Sequence, residues 1–184
     1  MSAHHVCPWW LAYTFDNPLR RFIHNPKTIL GSYIKQGMIV MDIGCGMGYF
    51  TLSLAELVGD TGKVIAVDLQ QKMLDIMFKR AQRKGLEHRI TPHRAKQNSI
   101  NNSTKVDFIL AFWMVHEVPN PASFFREVAA NLKPAGKVLY SEPAFHVPAQ
   151  KFYEILAAAD RAGLNKVSDI TVRFSRAALL QNKN

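Results

Sequence analysis

The stretch VMDIGCGMGYFTLSLA, residues 40–55, sets Gly44, Gly46 and Gly48 into five positions between two apolar runs. Glycine weakens strands and helices alike, so such a cluster marks a backbone that turns sharply or passes close to a bound molecule. Upstream, GMIVMDI (37–43) reads as a buried strand, and downstream Phe50, Leu54, Leu57 and Val58 recur at helical spacing. A strand, a glycine loop and a helix in this order put backbone N–H groups and a helix N-terminus beside a ligand.

The same alternation continues to the C-terminus. After the turn GDTG (59–62), KVIAVD (63–68) reads as a second strand. A helix over 70–84 turns Met73, Ile76 and Met77 inward and Lys72, Lys79, Arg80, Arg83 and Lys84 mostly outward. A third strand is signalled around 89–95, where Pro92 indicates an edge or irregular position. KVDFILAFW (105–113) is apolar almost throughout, as expected of a strand covered on both faces. A helix from 121 to 132 meets LKPAGK, whose Pro134 and Gly136 read as stop and turn before a fifth strand, KVLYSE (137–142). Phe152, Ile155, Leu156 and Ala159 define one more helix closing near Gly163, and the tail reads as two strands. This order predicts an α/β, Rossmann-like three-layer sandwich with a mostly parallel sheet. Residues 1–36 stand apart. Asn17-Pro18 and Asn25-Pro26 each resemble a helix cap followed by proline, which predicts two short helices forming an N-terminal lid over the sheet. The expectation is one domain, 1–184, with its core in 37–184.

The composition supports this reading. At 184 residues, 48% hydrophobic and 20% charged, the chain can bury a real core, and its longest apolar run is too short to span a bilayer. No signal peptide is read at the N-terminus, and Cys7 and Cys45 form no disulfide framework, so a reducing cytoplasm is expected. A net charge of +9 invites an anionic partner: nucleic acid, an acidic lipid surface or a phosphorylated substrate. Seven Lys and Arg residues against Glu87 alone between Lys79 and Lys96 form the best nucleic-acid footprint, with a solvated helix face as the alternative reading.

The glycine spacing decides between ligands. A dinucleotide fold uses G-x-G-x-x-G/A, but Tyr49 fills the third position; the pattern present is D-x-G-x-G-x-G, from Asp42 to Gly48. Asp42 adds a negative charge at the loop entrance, which suits an ammonium group better than a pyrophosphate. Asp68 ends the second strand and can accept hydrogen bonds from both hydroxyls of a ribose, or cap the following helix.

Taken together, VMDIGCGMGYFT, VIAVD, VDFILAFWMVHEV and LKPAGKVLYSEP resemble, in order and spacing, a class I S-adenosylmethionine-dependent methyltransferase, over roughly residues 37–181. The resemblance implies a seven-stranded sheet with an antiparallel last strand and S-adenosyl-L-methionine as cofactor. It implies a binding set of Asp42, Gly44, Cys45, Gly46, Gly48, Asp68 on the ribose and Leu69 on the adenine, joined by Lys96, Gln97 and Ala111. Lys96 stands where many members carry an aspartate for the adenine amino group, which leaves that contact to backbone atoms near Gln97. No metal is expected, since His4, His5 and Cys7 lack complementary ligands.

A sulfonium methyl is already electrophilic, so alignment alone can supply up to about 7–11 kcal/mol. His116 follows the fourth strand, at the end where open α/β sheets bind ligands, and is the candidate base. Glu142 and His146 are weaker candidates, while Glu117 reads as charging a helix N-terminus. Acceptor contacts are expected from Trp9, Trp10, Tyr13, His116 and His146. The expected function is methyl transfer to a small-molecule acceptor by a monomer or homodimer. The alternatives are an RNA acceptor, and a non-catalytic S-adenosylmethionine-binding protein acting through a partner.

Overall fold

In the computed structural model, which describes residues 20–183, the glycine loop follows β1 (Ile39–Ile43), and Val40, Met41 and Ile43 are buried as read from the apolar run. β2 (Lys63–Asp68) pairs parallel with β1, Val40 opposite Val64, and β3 (Ile90–Arg94) pairs parallel with β2. Thr91 and Pro92 of β3 are exposed, as expected of an edge strand. β4 (Val106–Phe112) and β5 (Leu132–Pro143) are parallel, and β7 (Ser175–Asn182) runs antiparallel to both β5 and β6 (Leu164–Asp169). The sheet has seven strands in the order β3-β2-β1-β4-β5-β7-β6, the mostly parallel Rossmann-like α/β arrangement with β7 inserted antiparallel. The chain divides into two compact units at Ala95 and Lys96.

In the first unit, α1 (Arg20–Ile23) and α2 (Pro26–Leu30) precede the sheet. Asn25 caps α2, its Oδ1 accepting from Lys27 N at 3.0 Å with Pro26 at the first helical position, as the Asn-Pro pair predicts. α2 packs on α3 (Tyr49–Val58): Leu30 is fully buried, and the Lys27 ammonium lies 3.0 Å from Glu56. α4 (Gln71–Arg83) buries Met73, Leu74, Met77 and Ala81 at helical spacing.

In the second unit, Asn120 caps α5 (Pro121–Asn131) by accepting from Ser123 N at 3.0 Å, and α6 (Ala149–Arg161) leads to the final strand pair. The core is aromatic: Tyr140 stacks on Phe152 at 5.0 Å between ring centres and meets Phe125 edge-on at 5.8 Å. LKPAGK does not separate α5 from a strand beginning at 137. β5 starts at Leu132, opposite Val106, and the turn read from Pro134 and Gly136 is absorbed as an irregularity before Lys137 reaches Phe108. Strand pairing on both sides of the proline keeps the ladder in place where the local signal asks for a break. Among the described residues, no helix is long and apolar enough to cross a membrane.

Candidate functional site

The glycines after β1 have different physical reasons. Gly48 begins α3 at φ +88°, and a Cβ there would stand 2.6 Å from Met77 Cγ, so this glycine lets α3 and α4 approach. At Gly46, φ +52°, a Cβ would meet no atom of the described residues within 4 Å beyond its chain neighbours. The loop amides turn inward. Gly44 N and Cys45 N donate to Val67 O at 2.9 and 3.0 Å, and Gly48 N donates to Cys45 O at 3.0 Å. Gly46 N donates to Asp68 Oδ2 at 2.9 Å. A phosphate cradle needs such amides free; here they are bonded to the protein itself, which adds to the Tyr49 departure from the dinucleotide pattern. Tyr49 instead ties down the N-terminal segment, its hydroxyl donating to His24 O at 2.9 Å.

Asp68 closes the loop from the other side. Its Oδ1 accepts from Gln70 N at 2.9 Å, so both carboxylate oxygens hold backbone amides, Leu69 N–H adds a further contact, and the carboxylate keeps lone-pair capacity for another donor. It does not cap α4, whose N-cap is Gln70. Burial raises the Asp68 pKa, against the lowering effect of its backbone hydrogen bonds. Asp42 lies in β1 two residues before Gly44. Its side chain is buried and accepts from Thr51 Oγ1 at 2.6 Å, because position 42 of β1 faces the first turn of α3. Cys45 is buried too, and burial followed by the charges of Asp42 and Asp68 pushes its thiol pKa well up, so it is an inert packing residue in this environment.

Leu69 is half-buried at the end of β2, and its carbonyl accepts from Arg94 Nε at 3.4 Å. Lys96 and Gln97 are exposed, and the Lys96 backbone is closed on itself: its N–H donates to Ser99 O at 2.9 Å and its carbonyl accepts from Ser99 N at 3.2 Å. Ala111 lies fully buried in β4, opposite Tyr140. The basic stretch is largely engaged within the fold. Arg80 donates to Met47 O at 3.1 Å and Lys84 pairs with Glu56 at 3.7 Å, while Arg89 pairs with Asp60 and Arg94 bonds Leu69. Arg80, one of the basic residues expected to be mostly outward, folds back to brace the glycine loop.

His116, Glu142 and His146 come together in the second unit. Trp113 follows β4 at φ +61°, a costly conformation for a bulky residue, held by Trp113 N donating to Ser141 O at 2.8 Å and Nε1 donating to Ser175 Oγ at 2.9 Å. A 3-10 turn (Val115–Glu117) then sets His116 against β5. His116 Nδ1 lies 2.6 Å from Glu142 Oε2, and the His116 backbone N–H donates to Glu142 Oε1 at 2.9 Å. Glu142 is fully buried. Burial alone would lower the His116 pKa; the hydrogen bond and charge of Glu142, with the charge of Glu117, outweigh it and raise the pKa above 6.5. Glu117 does not charge a helix N-terminus: it lies ahead of α5, with Oε1 3.9 Å from His116 Nε2. The His146 ring meets that of His116 edge-on at 5.1 Å. Phe145, largely exposed, stands edge-on to Trp113 at 5.6 Å. Among the described residues, no group of three or more His, Cys, Asp and Glu is placed to hold a metal.

Thr51 and Phe145 were not singled out in the sequence. In the sequence, only the position of Glu142 at the end of a strand hinted at its place beside His116. Trp9, Trp10 and Tyr13 lie outside the described residues, as do His4, His5 and Cys7.

A parallel sheet entered through a glycine loop and an acidic strand end is the class I methyltransferase fold. Residues 34–171 match the methyltransferase-domain family, and the chain belongs to it. The crystal structure of an S-adenosylmethionine-dependent methyltransferase from Aquifex aeolicus shares the fold with a TM-score of 0.84 at 24% identity, covering 95% of this chain and 99% of that one. A demethylmenaquinone methyltransferase from Lactobacillus johnsonii is 31% identical over 106 residues, 57% of this chain and 43% of that protein. A ubiquinone biosynthesis O-methyltransferase from Aliivibrio fischeri is 30% identical over 139 residues, 72% of this chain and 56% of that protein. The chain spans about half the length of these curated relatives.

Proposed function

We propose that this chain is an enzyme that methylates a small planar acceptor carrying an ionisable hydroxyl, with S-adenosylmethionine as methyl source and His116 as the base. The observation that carries the reading is the His116–Glu142 pair, a histidine held by a buried carboxylate 2.6 Å from Nδ1 after the carboxyl end of a parallel strand. The names of the quinone-directed relatives support an aromatic or quinol-type ring, and Trp113, Phe145 and His146 offer ring faces and edges to receive one.

The residues of the first unit fit the methyl donor. Gly46 leaves room for a ligand to come close to the backbone, Asp68 retains acceptor capacity for ribose hydroxyls, and the inward amides suit a ligand without phosphate. Gly44, Gly46, Asp68 and Leu69 would hold it. When bound, S-adenosylmethionine would supply an electrophilic methyl for in-line transfer to the acceptor oxygen, with S-adenosylhomocysteine as the leaving group. His116 Nε2 removes the hydroxyl proton, and Glu142 stabilises the imidazolium that results. In this reading residues 1–184 act as one transferase domain and the segment 1–36 as its lid, a role supported by the Tyr49–His24 tether.

The test is incubation of the purified protein with methyl-labelled S-adenosylmethionine and, separately, hydroxylated quinols, catechols and cellular RNA. Labelled small molecule with equimolar S-adenosylhomocysteine is the expected result. Label in RNA alone would move the assignment to the RNA-directed alternative, and binding without turnover in cell extract would move it to the non-catalytic one.

A further inference from the structure

We propose that Glu142 is the positioning residue that keeps the neutral His116 ring protonated on Nδ1 and leaves Nε2 bare as the proton acceptor; the catalytic meaning of this rests on the function proposed above. Both oxygens of Glu142 serve one residue. Oε2 takes the ring Nδ1 and Oε1 takes the backbone N–H, so ring and main chain of His116 are clamped together. A neutral imidazole carries a single N–H. With a carboxylate 2.6 Å from Nδ1, that proton belongs on Nδ1.

Among the described groups that face the pair, only Glu142 reaches the ring by a hydrogen bond, while the charge of Glu117 adds to the rise in its pKa. Glu117, from the 3-10 turn, lies 3.9 Å from Nε2, beyond hydrogen-bonding distance. His146, from the loop after β5, presents a ring edge rather than a hydrogen bond. Arg176 of β7 stands opposite Glu142 in the ladder, but its guanidinium donates to Ala144 O at 3.4 Å and Val147 O at 3.0 Å. Tyr140, two residues earlier on β5, has a buried hydroxyl with no hydrogen-bond partner among the described residues, and burial with the Glu142 charge raises its pKa, so it stays neutral. Glu142 therefore addresses His116 alone among these groups. A structural ion pair would equally fasten the 3-10 turn to β5, so the test must read the proton rather than the fold.

Imidazole nitrogen NMR of the full chain, titrated without cofactor or acceptor, reads it directly, with His116→Gln assigning the signals. In the wild type the neutral form should show protonated Nδ1 and bare Nε2, with a transition above pH 6.5. In Glu142→Gln the transition should fall by about one pH unit or more as burial takes over, and Glu142→Asp, which keeps the charge, should recover part of the shift. The acid limb of kcat/KM should move with these transitions while cofactor affinity stays constant. A wild-type ring bare at Nδ1, or a Glu142→Gln protein titrating where the wild type does, overturns the proposal. If Glu142→Gln does not fold, the wild-type tautomer alone decides. The expected tautomer in a protein that transfers no methyl group would sink the proposed function and leave this assignment standing.

Discussion

In the proposed reading the two units carry their chemistry in different materials. Between residues 20 and 95 the work falls to the backbone: a glycine at positive φ beside open space, amides bonded inward, and an aspartate bridging two of them. Between residues 96 and 183 it falls to side chains, a histidine and a buried glutamate 26 positions apart. The first arrangement is set before any ligand arrives and answers to volume. The second answers to protons. A perturbation that distinguishes volume from charge should therefore affect one unit and spare the other.

The largest expected effect is on the proton side. His116→Gln should lower kcat by about 10²- to 10⁴-fold, the usual worth of a general base, with calorimetric cofactor affinity unchanged. A parallel loss of affinity would break the division of labour. Next, Gly48→Val forces a side chain into the α4 methionine at a left-handed φ, and should cost about 2–4 kcal/mol of stability in urea unfolding. Gly46→Val bears only the backbone strain, about 1–3 kcal/mol, yet should bind S-adenosylhomocysteine far more weakly. Equal stability losses at the two glycines would show that one role, not two, explains them. Asp68→Ala should weaken cofactor binding at least about tenfold, given roughly 1.5–3 kcal/mol for each hydrogen bond to a charged group.

A smaller effect separates protonation from packing. The folded His116 pKa is raised, so its contribution to stability is full below the unfolded value of about 6.5 and is lost as pH rises through the folded value. The unfolding free energy of the wild type relative to His116→Gln should decline over that alkaline window and be flat in acid. The smallest effect concerns the basic surface. Replacing Lys79 and Arg83 together should change stability by no more than about 0.5 kcal/mol. If nucleic acid binds at all, the double variant should reduce the salt slope by about two phosphate contacts without altering sequence preference.

The same contrast explains what could be read in advance. Gly46 and Asp68 are legible because a glycine spacing after an apolar strand is a local pattern with a local cause. Asn25 and Pro92 were legible for the same reason. The pairing of His116 with Glu142 depends on the β4–β5 register and on a 3-10 turn, which no window of sequence contains. Asp42 shows the limit of a local pattern: the motif marks a charge beside the loop, but not that the carboxylate is buried against Thr51. LKPAGK misled because proline and glycine report local preference, and the ladder with Val106 prevailed over it.

The empty space at Gly46 has a use in chemical genetics. Asparagine tolerates the left-handed conformation found there, φ +52°, and among the described residues nothing beyond the chain neighbours stands within 4 Å of where its Cβ would lie. Gly46→Asn should thus keep the fold while narrowing the pocket against the natural methyl donor. A donor analogue trimmed at the atoms that lie over Gly46, and bearing an alkyne in place of the methyl, would then be used by the variant and by no other transferase in a cell extract. The molecule that acquires the alkyne is the acceptor, found without having to guess it first.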